Sequence, residues 1–500
     1  MNQPQRKVLP LVNRIPELRL VTDRLEILHG RGAVFQCVIN FYGILGVGKT
    51  TLLEHLNDYA QSGNWPHAQI PPTLSALVDL SAQRSWPHIL GHIAEQLQER
   101  TGLVGHQLQS GLKTLCSLSK PDPRDEAACY TYEQEARKVA AAFNRYVYEQ
   151  AKQSPVLLLL DNTEALEEEV FYWLEYEVFS PLVQTDRLLL VVAGSSPVHW
   201  KRFEVRRRVL LRKLLPPQDA RDAEQLVRSQ APSWSLLAPN IIQLTFGYPL
   251  ANQAVVEKLE NLGEAERIDA QVFSRYREDL LRHLLADVVE GKLLAAMPTE
   301  LRQTFRLVAP LRQFDVTTLQ SLLPQVAPDN FANRTENYFV SLCNRMVATR
   351  LAEWDAGRKA YVLDETLRRF LLLELETYNR AQALQIHEAA SALYRRWFEE
   401  SSSVRSTHVV EWLYHRIQAL RLKGEDVLAI RSTILEEFEN ILNLYYRPSE
   451  QEKVRQVDRA RSLLEELKRD TDLTDDLIGE GTKDLLLQMV ERVNPESTTG

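Results

Sequence analysis

Cysteine is scarce in this sequence and never paired. Only Cys37, Cys116, Cys129 and Cys343 occur in 500 residues, and no two form a C-x-x-C pair. That argues against a disulfide framework or a cysteine-held metal. Buried thiols in a reducing cytosol are expected, and with them a cytoplasmic location. Charge of one sign is also in short supply. The net charge of −8 argues against a dominant nucleic-acid surface. Long apolar runs are missing too. Val156 to Leu160 and Leu188 to Ala193 suit core strands and fall well short of the roughly 20 residues a membrane helix needs. No membrane partner is therefore expected, and no secretory leader is read at the N-terminus. What remains, 44% hydrophobic and 25% charged residues, is the composition of a soluble globular chain. At this length one core does not suffice, and two to four domains are expected.

The most informative stretch is Gly43-Ile44-Leu45-Gly46-Val47-Gly48-Lys49-Thr50, which satisfies G-x-x-x-x-G-K-[ST]. The apolar run Val34 to Tyr42 before it predicts a buried strand. The run Thr51 to Leu56 after it predicts a helix start. Strand, glycine loop and helix form the setting of a phosphate-binding loop. Glycines free the backbone to turn its N–H groups toward phosphate oxygens, and the helix N-terminus adds positive potential. Gly43, Gly46, Val47, Gly48, Lys49, Thr50 and Thr51 are thus the nucleotide-binding set. Lys49 is expected to bridge the β- and γ-phosphates, Thr50 to ligate Mg²⁺ and Thr51 to reach the α-phosphate.

A loop of this kind needs a carboxylate for Mg²⁺. Val156 to Leu160 predicts a buried strand that ends in Asp161, at the edge where parallel α/β sheets bind ligands. Thr50 and Asp161 are the expected metal pair. Asn162 follows where many ATPases carry an acid, and an amide cannot act as a base. Glu164 is then the nearest carboxylate for catalysis, beside Lys49 and Asp161. Its alternative role is to cap the helix after it. Further strands are predicted at Arg187 to Ala193, Val209 to Leu214 and Leu74 to Leu80. Alternation with helical stretches predicts a mostly parallel sheet with flanking helices. After the strand that ends at Ala193, Ser195 or Ser196 is a candidate γ-phosphate sensor, with an ordinary Gly-Ser-Pro turn as the plainer reading.

Three further segments carry a family resemblance. Pro10-Leu11-Val12-Asn13-Arg14-Ile15-Pro16-Glu17-Leu18 resembles the F-V-G-R-x-x-E-L segment that packs near adenine. Phe246-Gly247-Tyr248-Pro249-Leu250 is similar to a G-x-P motif whose proline touches base or sugar. Met346 to Leu351, Asp355 to Arg358 and Tyr361 to Leu363 read as a β-hairpin after helices, the layout of a winged helix. Loop, Asp strand, G-x-P and wing in this order resemble the STAND class of signal-transduction ATPases, which includes NACHT and NB-ARC modules. The resemblance spans roughly residues 8 to 375. It implies Arg14 and Pro249 as nucleotide contacts and ATP or ADP with Mg²⁺ as cofactors. It also implies a switch whose ADP-bound closed form exchanges for an ATP-bound open form. Adenine is preferred over guanine on the same grounds, and no N-K-x-D motif is seen at a suitable place.

The chain departs from that pattern at Tyr361 to Phe370, where Asp364 stands in place of the family's phosphate-contacting His. A carboxylate there puts the usual ADP lock in doubt, and Asn162 adds weak hydrolysis. The expected layout is a P-loop nucleotide-binding domain at 1–215, a helical lid with the G-x-P motif at 216–290 and a winged helix at 291–377. An all-α, tetratricopeptide-like region follows at 378–494, with a disordered tail at 495–500. A polar surface insertion is expected around Ser119 to Asp125. Arg206 to Arg208 read as a solvated basic turn. Trp397, Trp412, Tyr414, Tyr445 and Tyr446 read as core before they read as binding anchors.

The leading functional expectation is a slow, ATP-dependent signalling switch. With neither an effector read ahead of the loop nor a catalytic domain after it, the output falls to a separate protein partner, through the C-terminal helices, or to nucleotide-dependent homo-oligomerisation. A DNA-acting ATPase of the origin-recognition type, with Arg350, Arg358 and Lys359 on phosphate, is the first alternative. A pseudo-ATPase scaffold stabilised by nucleotide is the second.

Overall fold

The computed structural model describes residues 11–493, leaving out 13, 83–84, 119–121, 123, 218, 264–268, 401–405, 447–452 and 471. Most of the polar stretch Ser119 to Asp125 and the whole expected tail therefore lie outside the described residues, as do Pro10 and Asn13. The chain divides into two compact units, residues 1–292 and 293–500.

The first unit is built on a parallel five-stranded sheet in the order β2-β3-β4-β1-β5. Its strands are β1 (Val38–Tyr42), β2 (Leu74–Asp79), β3 (Val156–Asp161), β4 (Leu188–Gly194) and β5 (Val209–Lys213). β3 and β4 are buried along their whole length. Helices cover both faces of such a sheet, so its central strands read as unbroken apolar runs and not as alternating ones. Helices α1 (Ile15–His29), α2 (Lys49–Ser62), α3 (Trp86–Thr101) and α5 (Glu126–Gln153) do the covering, and α4 (His106–Ser117) packs on α3 and α5. Ile89, Ile93 and Leu97 of α3 meet Phe143 and Val147 of α5 over Val156, Leu158 and Leu160 of β3 in one core. Asp125 starts α5 by accepting the Ala128 N–H at 3.0 Å, a local cap for orphan donors.

The first strand is shorter than its apolar run suggests. It begins at Val38, and Phe35 lies outside it, 61% exposed. The guanidiniums of Arg207 and Arg208 sit over the Phe35 ring at 6.0 and 5.8 Å, so the aromatic binds cations at the surface instead of extending the sheet. Beyond β5 come helices Ala220–Gln230, Ala238–Thr245, Pro249–Gly263 and Ala270–Leu284.

In the second unit, helices Thr299–Val308, Val316–Val326 and Glu336–Ala348 precede an antiparallel hairpin. Its strands are β6 (Ala352–Asp355) and β7 (Ala360–Leu363), and an isolated bridge joins Phe314 to Tyr361. Asp355 shapes the turn by accepting the N–H groups of Gly357 and Arg358 at 2.8 and 3.1 Å. Helix Glu365–Tyr378 follows, and Asp364 is its cap. The buried carboxylate accepts from the N–H groups of Thr366 and Leu367 at 3.0 and 3.4 Å.

Helices Arg380–Glu400, Ser406–Lys423, Val427–Tyr445, Lys453–Arg469 and Thr482–Val493 complete the chain. Trp412, Tyr414 and Tyr446 are buried among them and serve packing, while the side chain of Tyr445 is outside the described residues. A closed charge cluster sits in this unit. Arg312 meets Glu411 at 3.1 Å and Asp470 at 2.5 Å, with all three side chains no more than 8% exposed. Its guanidinium also lies 4.4 Å over the Tyr414 ring. Burial opposes the charge on Arg312, and Glu411 and Asp470 more than offset it. Among the described residues, no helix is long and apolar enough to cross a membrane.

Candidate nucleotide site

The C-terminal ends of β1, β2, β3 and β4 converge on one edge of the sheet. The parallel register sets Tyr42 beside Gly194 and Asp79 beside Asp161. β1 therefore delivers the glycine loop to the edge at which β3 delivers its carboxylate. The Gly43 N–H is tied to the Gly194 carbonyl at 3.2 Å. α2 begins at Lys49 with Gly48 as N-cap, and no side chain caps its first turn. Its leading N–H groups are thus of the kind that anions satisfy. Gly48 holds φ at 98°, a backbone state that side chains resist.

Lys49 is 7% exposed, and its Nζ donates to the carbonyls of Gly43 and Ile44 at 2.8 and 3.1 Å. Burial lowers its affinity for the proton, against the pull of Glu164 and Asp161. Asp161 is 2% exposed. Burial raises its pKa, while the Thr50 hydroxyl and the Asn162 N–H oppose that rise. Thr50 Oγ1 donates directly to Asp161 Oδ2 at 2.5 Å. Thr50 and Asp161 thus present two hard oxygens side by side, the donor type Mg²⁺ takes when it keeps most of its shell for water and phosphate. The residues fit that ion.

Glu164 faces the same pocket as Lys49, Thr50, Thr51 and Asn162. It does not cap the next helix, which starts at Glu168 behind Glu167. Its Oε2 instead accepts the Ser195 N–H at 3.1 Å. Ser195 thereby enters the site through its backbone. Arg14 also lines the pocket, with Leu11 and Val12. Its guanidinium is committed to the carbonyls of Leu215 at 3.0 Å and Val47 at 2.8 Å, so it braces the loop from the N-terminal segment. Pro249 and Leu250 line the pocket as well.

Within the G-x-P segment, Tyr248 and Leu250 make contacts that the motif does not specify. The Tyr248 hydroxyl donates to the Leu45 carbonyl in the crest of the loop, and Leu250 packs on Gly46. A Cβ on Gly46 would stand 2.5 Å from the Leu250 Cβ, and the residue holds φ at 80°. A buried bond from Thr245 Oγ1 to Asn252 Oδ1 at 2.6 Å fixes the turn that carries Tyr248. Asp79 was missed. It accepts from Asn162 Nδ2 at 2.8 Å, and its only signal in the sequence is a carboxylate at a strand end.

This is the site of a P-loop NTPase. Residues 36–199 match the family profile described as an AAA domain, and they form an AAA-type P-loop ATPase domain. Solved structures similar to this chain include the Walker-type ATPase PABY2304 of Pyrococcus abyssi. That one is 15% identical over 74% of this chain and 98% of its own, with a TM-score of 0.45. The ORC2 protein of Aeropyrum pernix, in ADPNP–ADP complexes, is 15% identical over 74% and 97%, TM-score 0.40. A RuvB of Thermotoga maritima is 12% identical over 73% and 98%, TM-score 0.33. No curated protein matches the sequence.

Proposed function

We propose that this chain is an ATP-binding, slowly hydrolysing switch of the STAND type that controls a separate partner or its own assembly. The observation that carries the reading is the contact of the 247–250 turn with the phosphate loop. Tyr248 and Leu250 sit on Leu45 and Gly46, within the loop that would cradle a triphosphate. A ligand that moves the loop also moves this turn, so nucleotide state and lid position are energetically linked. Lys49 and the first turn of α2 bind the phosphates of ATP. Thr50 and Asp161 hold Mg²⁺, which when bound supplies charge neutralisation at the transferring phosphate. Glu164 accepts the proton of the attacking water. Asn162 contributes no base, which keeps turnover slow.

The test is calorimetric titration of the whole chain with ATP and ADP in Mg²⁺, alongside Lys49→Ala and Asp161→Ala. Lys49→Ala is expected to weaken ATP binding about 100-fold or more, the loss of a buried charge-assisted contact. Asp161→Ala is expected to bind nucleotide and fail to turn it over. ATP binding untouched by Lys49→Ala would end the proposal.

One observation favours a second reading, action on DNA. Trp354 of β6 is 51% exposed, and Arg358 and Lys359 lie in the turn that follows, a segment read in this proposal as the wing of a winged helix. Duplex binding that falls steeply with salt would promote this reading.

A further inference from the structure

We propose that Asp79 is a positioning residue for hydrolysis. It fixes the side-chain amide of Asn162 so that the carbonyl oxygen, and not the NH₂, faces the nucleotide and holds the attacking water. The inference rests on the ATPase reading above and names how that site handles water.

Asp79 is the last residue of β2 and pairs in register with Asp161. The residue after Asp161 turns sharply, with Asn162 in the left-handed region at φ 55° and ψ 48°. Its N–H donates to Asp161 Oδ1 at 2.9 Å, and its Nδ2 donates to Asp79 Oδ1 at 2.8 Å. Asp79 Oδ1 is itself held in place by the Ser81 N–H at 2.9 Å and the Ser81 hydroxyl at 2.7 Å. A carboxylate only accepts hydrogen bonds. The amide therefore has one orientation: NH₂ toward β2 and Oδ1 away from it. Asn162 also lines the pocket that Lys49, Thr50 and Glu164 share, and with its Nδ2 taken by Asp79, Oδ1 is the amide atom that in this proposal turns toward the nucleotide. An acceptor there orients a water by taking one of its O–H groups, and leaves a lone pair for phosphorus.

In the step itself, the water oxygen bonds to the γ-phosphorus. The bond from phosphorus to the β–γ bridging oxygen breaks, and its electron pair stays on ADP. The water proton passes to Glu164 and then to solvent. Asn162 takes no proton, and Asp79 touches neither water nor phosphate.

The arrangement has a consequence that a generic structural role lacks. An acid at position 162 would face the carboxylate of Asp79, so Asn162→Asp alone does not supply a working base. Asp79→Asn, in contrast, keeps an acceptor oxygen for Ser81 and for the Asn162 amide while removing the charge.

The experiment compares four forms of the whole chain: wild type, Asp79→Ala, Asp79→Asn and Asn162→Asp. Two readouts are taken: affinity for ADP with and without aluminium fluoride, a mimic of the transferring phosphate with its water, and the single-turnover rate. Asp79→Ala is expected to leave ADP affinity unchanged. Its preference for the aluminium fluoride complex and its rate should each fall about tenfold, the worth of one charge-assisted hydrogen bond. Asn162→Asp should fall at least as far, and Asp79→Asn, which keeps the acceptor, should fall less. An unchanged preference in Asp79→Ala, or an Asp79→Asn variant no better than Asp79→Ala, would overturn the inference. The ATPase reading stands apart, since it falls only if Lys49→Ala binds ATP like wild type.

Discussion

The molecule buries charge in two places and treats it in opposite ways. Around Lys49 the buried cation rests on backbone carbonyls, with Asp161 and Glu164 nearby but not in contact. Its strongest partner is left to a ligand. Around Arg312 the cation is closed in by Glu411, Asp470 and the Tyr414 ring. Nothing is left over for a ligand to supply. A phosphate site needs donors that are placed and still available. A structural cluster needs every charge answered, because a buried charge without a partner costs several kcal/mol.

The largest expected effect lies on the closed side. Arg312→Met leaves Glu411 and Asp470 buried without their cation, and should cost about 3–5 kcal/mol of stability in urea unfolding. The deficit should shrink on acidification. Burial already raises the pKa of Glu411 against the pull of Arg312, and removing Arg312 raises it further. The folded variant then keeps a proton that the unfolded chain releases, so its stability falls as pH rises between the two values. Unfolding at pH 5 and pH 7 checks the sign, and a deficit that grows toward pH 5 would contradict the assignment.

On the open side, Gly46→Ala forces a left-handed side chain and a Cβ against Leu250. It should cost about 1–2 kcal/mol, read as a looser 247–250 turn by hydrogen exchange. Asp364→Ala removes a helix cap, and should lower stability by about 1 kcal/mol while Asp364→Asn loses only a few tenths. An equal loss in both would point to the charge and away from the cap. The smallest of these deletions is Tyr248→Phe, which removes one hydroxyl bond to the loop and should shift nucleotide affinity by about 0.5–1 kcal/mol. Calorimetry with ADP measures it, and no shift would uncouple the turn from the loop.

The two regions also differ in how far the sequence exposes them. The phosphate loop is local. Eight consecutive residues carry its turn, its cation and its hydroxyl, because backbone N–H groups do most of the binding and only glycine spacing is needed to aim them. β3 with Asp161 was readable because a fully buried parallel strand must be continuously apolar. The Arg312 cluster draws on residues 312, 411 and 470, which no spacing rule connects. Asp364 shows the same limit on a smaller scale. Matched to a family position, it looked like a carboxylate that repels phosphate. In the fold it has a local task, closing the first turn of its helix. Glu164 was read as either a base or a helix cap, and the fold gives its carboxylate a third partner, the Ser195 N–H.

The sequence by itself determined the phosphate loop, the order of strands and helices, and the pairing of Thr50 with Asp161, since each follows from local pattern and from the edge at which parallel strands end. Tertiary structure alone decided what surrounds them. It set Asp79 against Asn162, Glu164 against Ser195 and Tyr248 against Leu45, because strand order and helix packing bring together side-chain and backbone groups that are 31 to 203 residues apart. No local rule fixes which distant hydrogen-bonding groups meet.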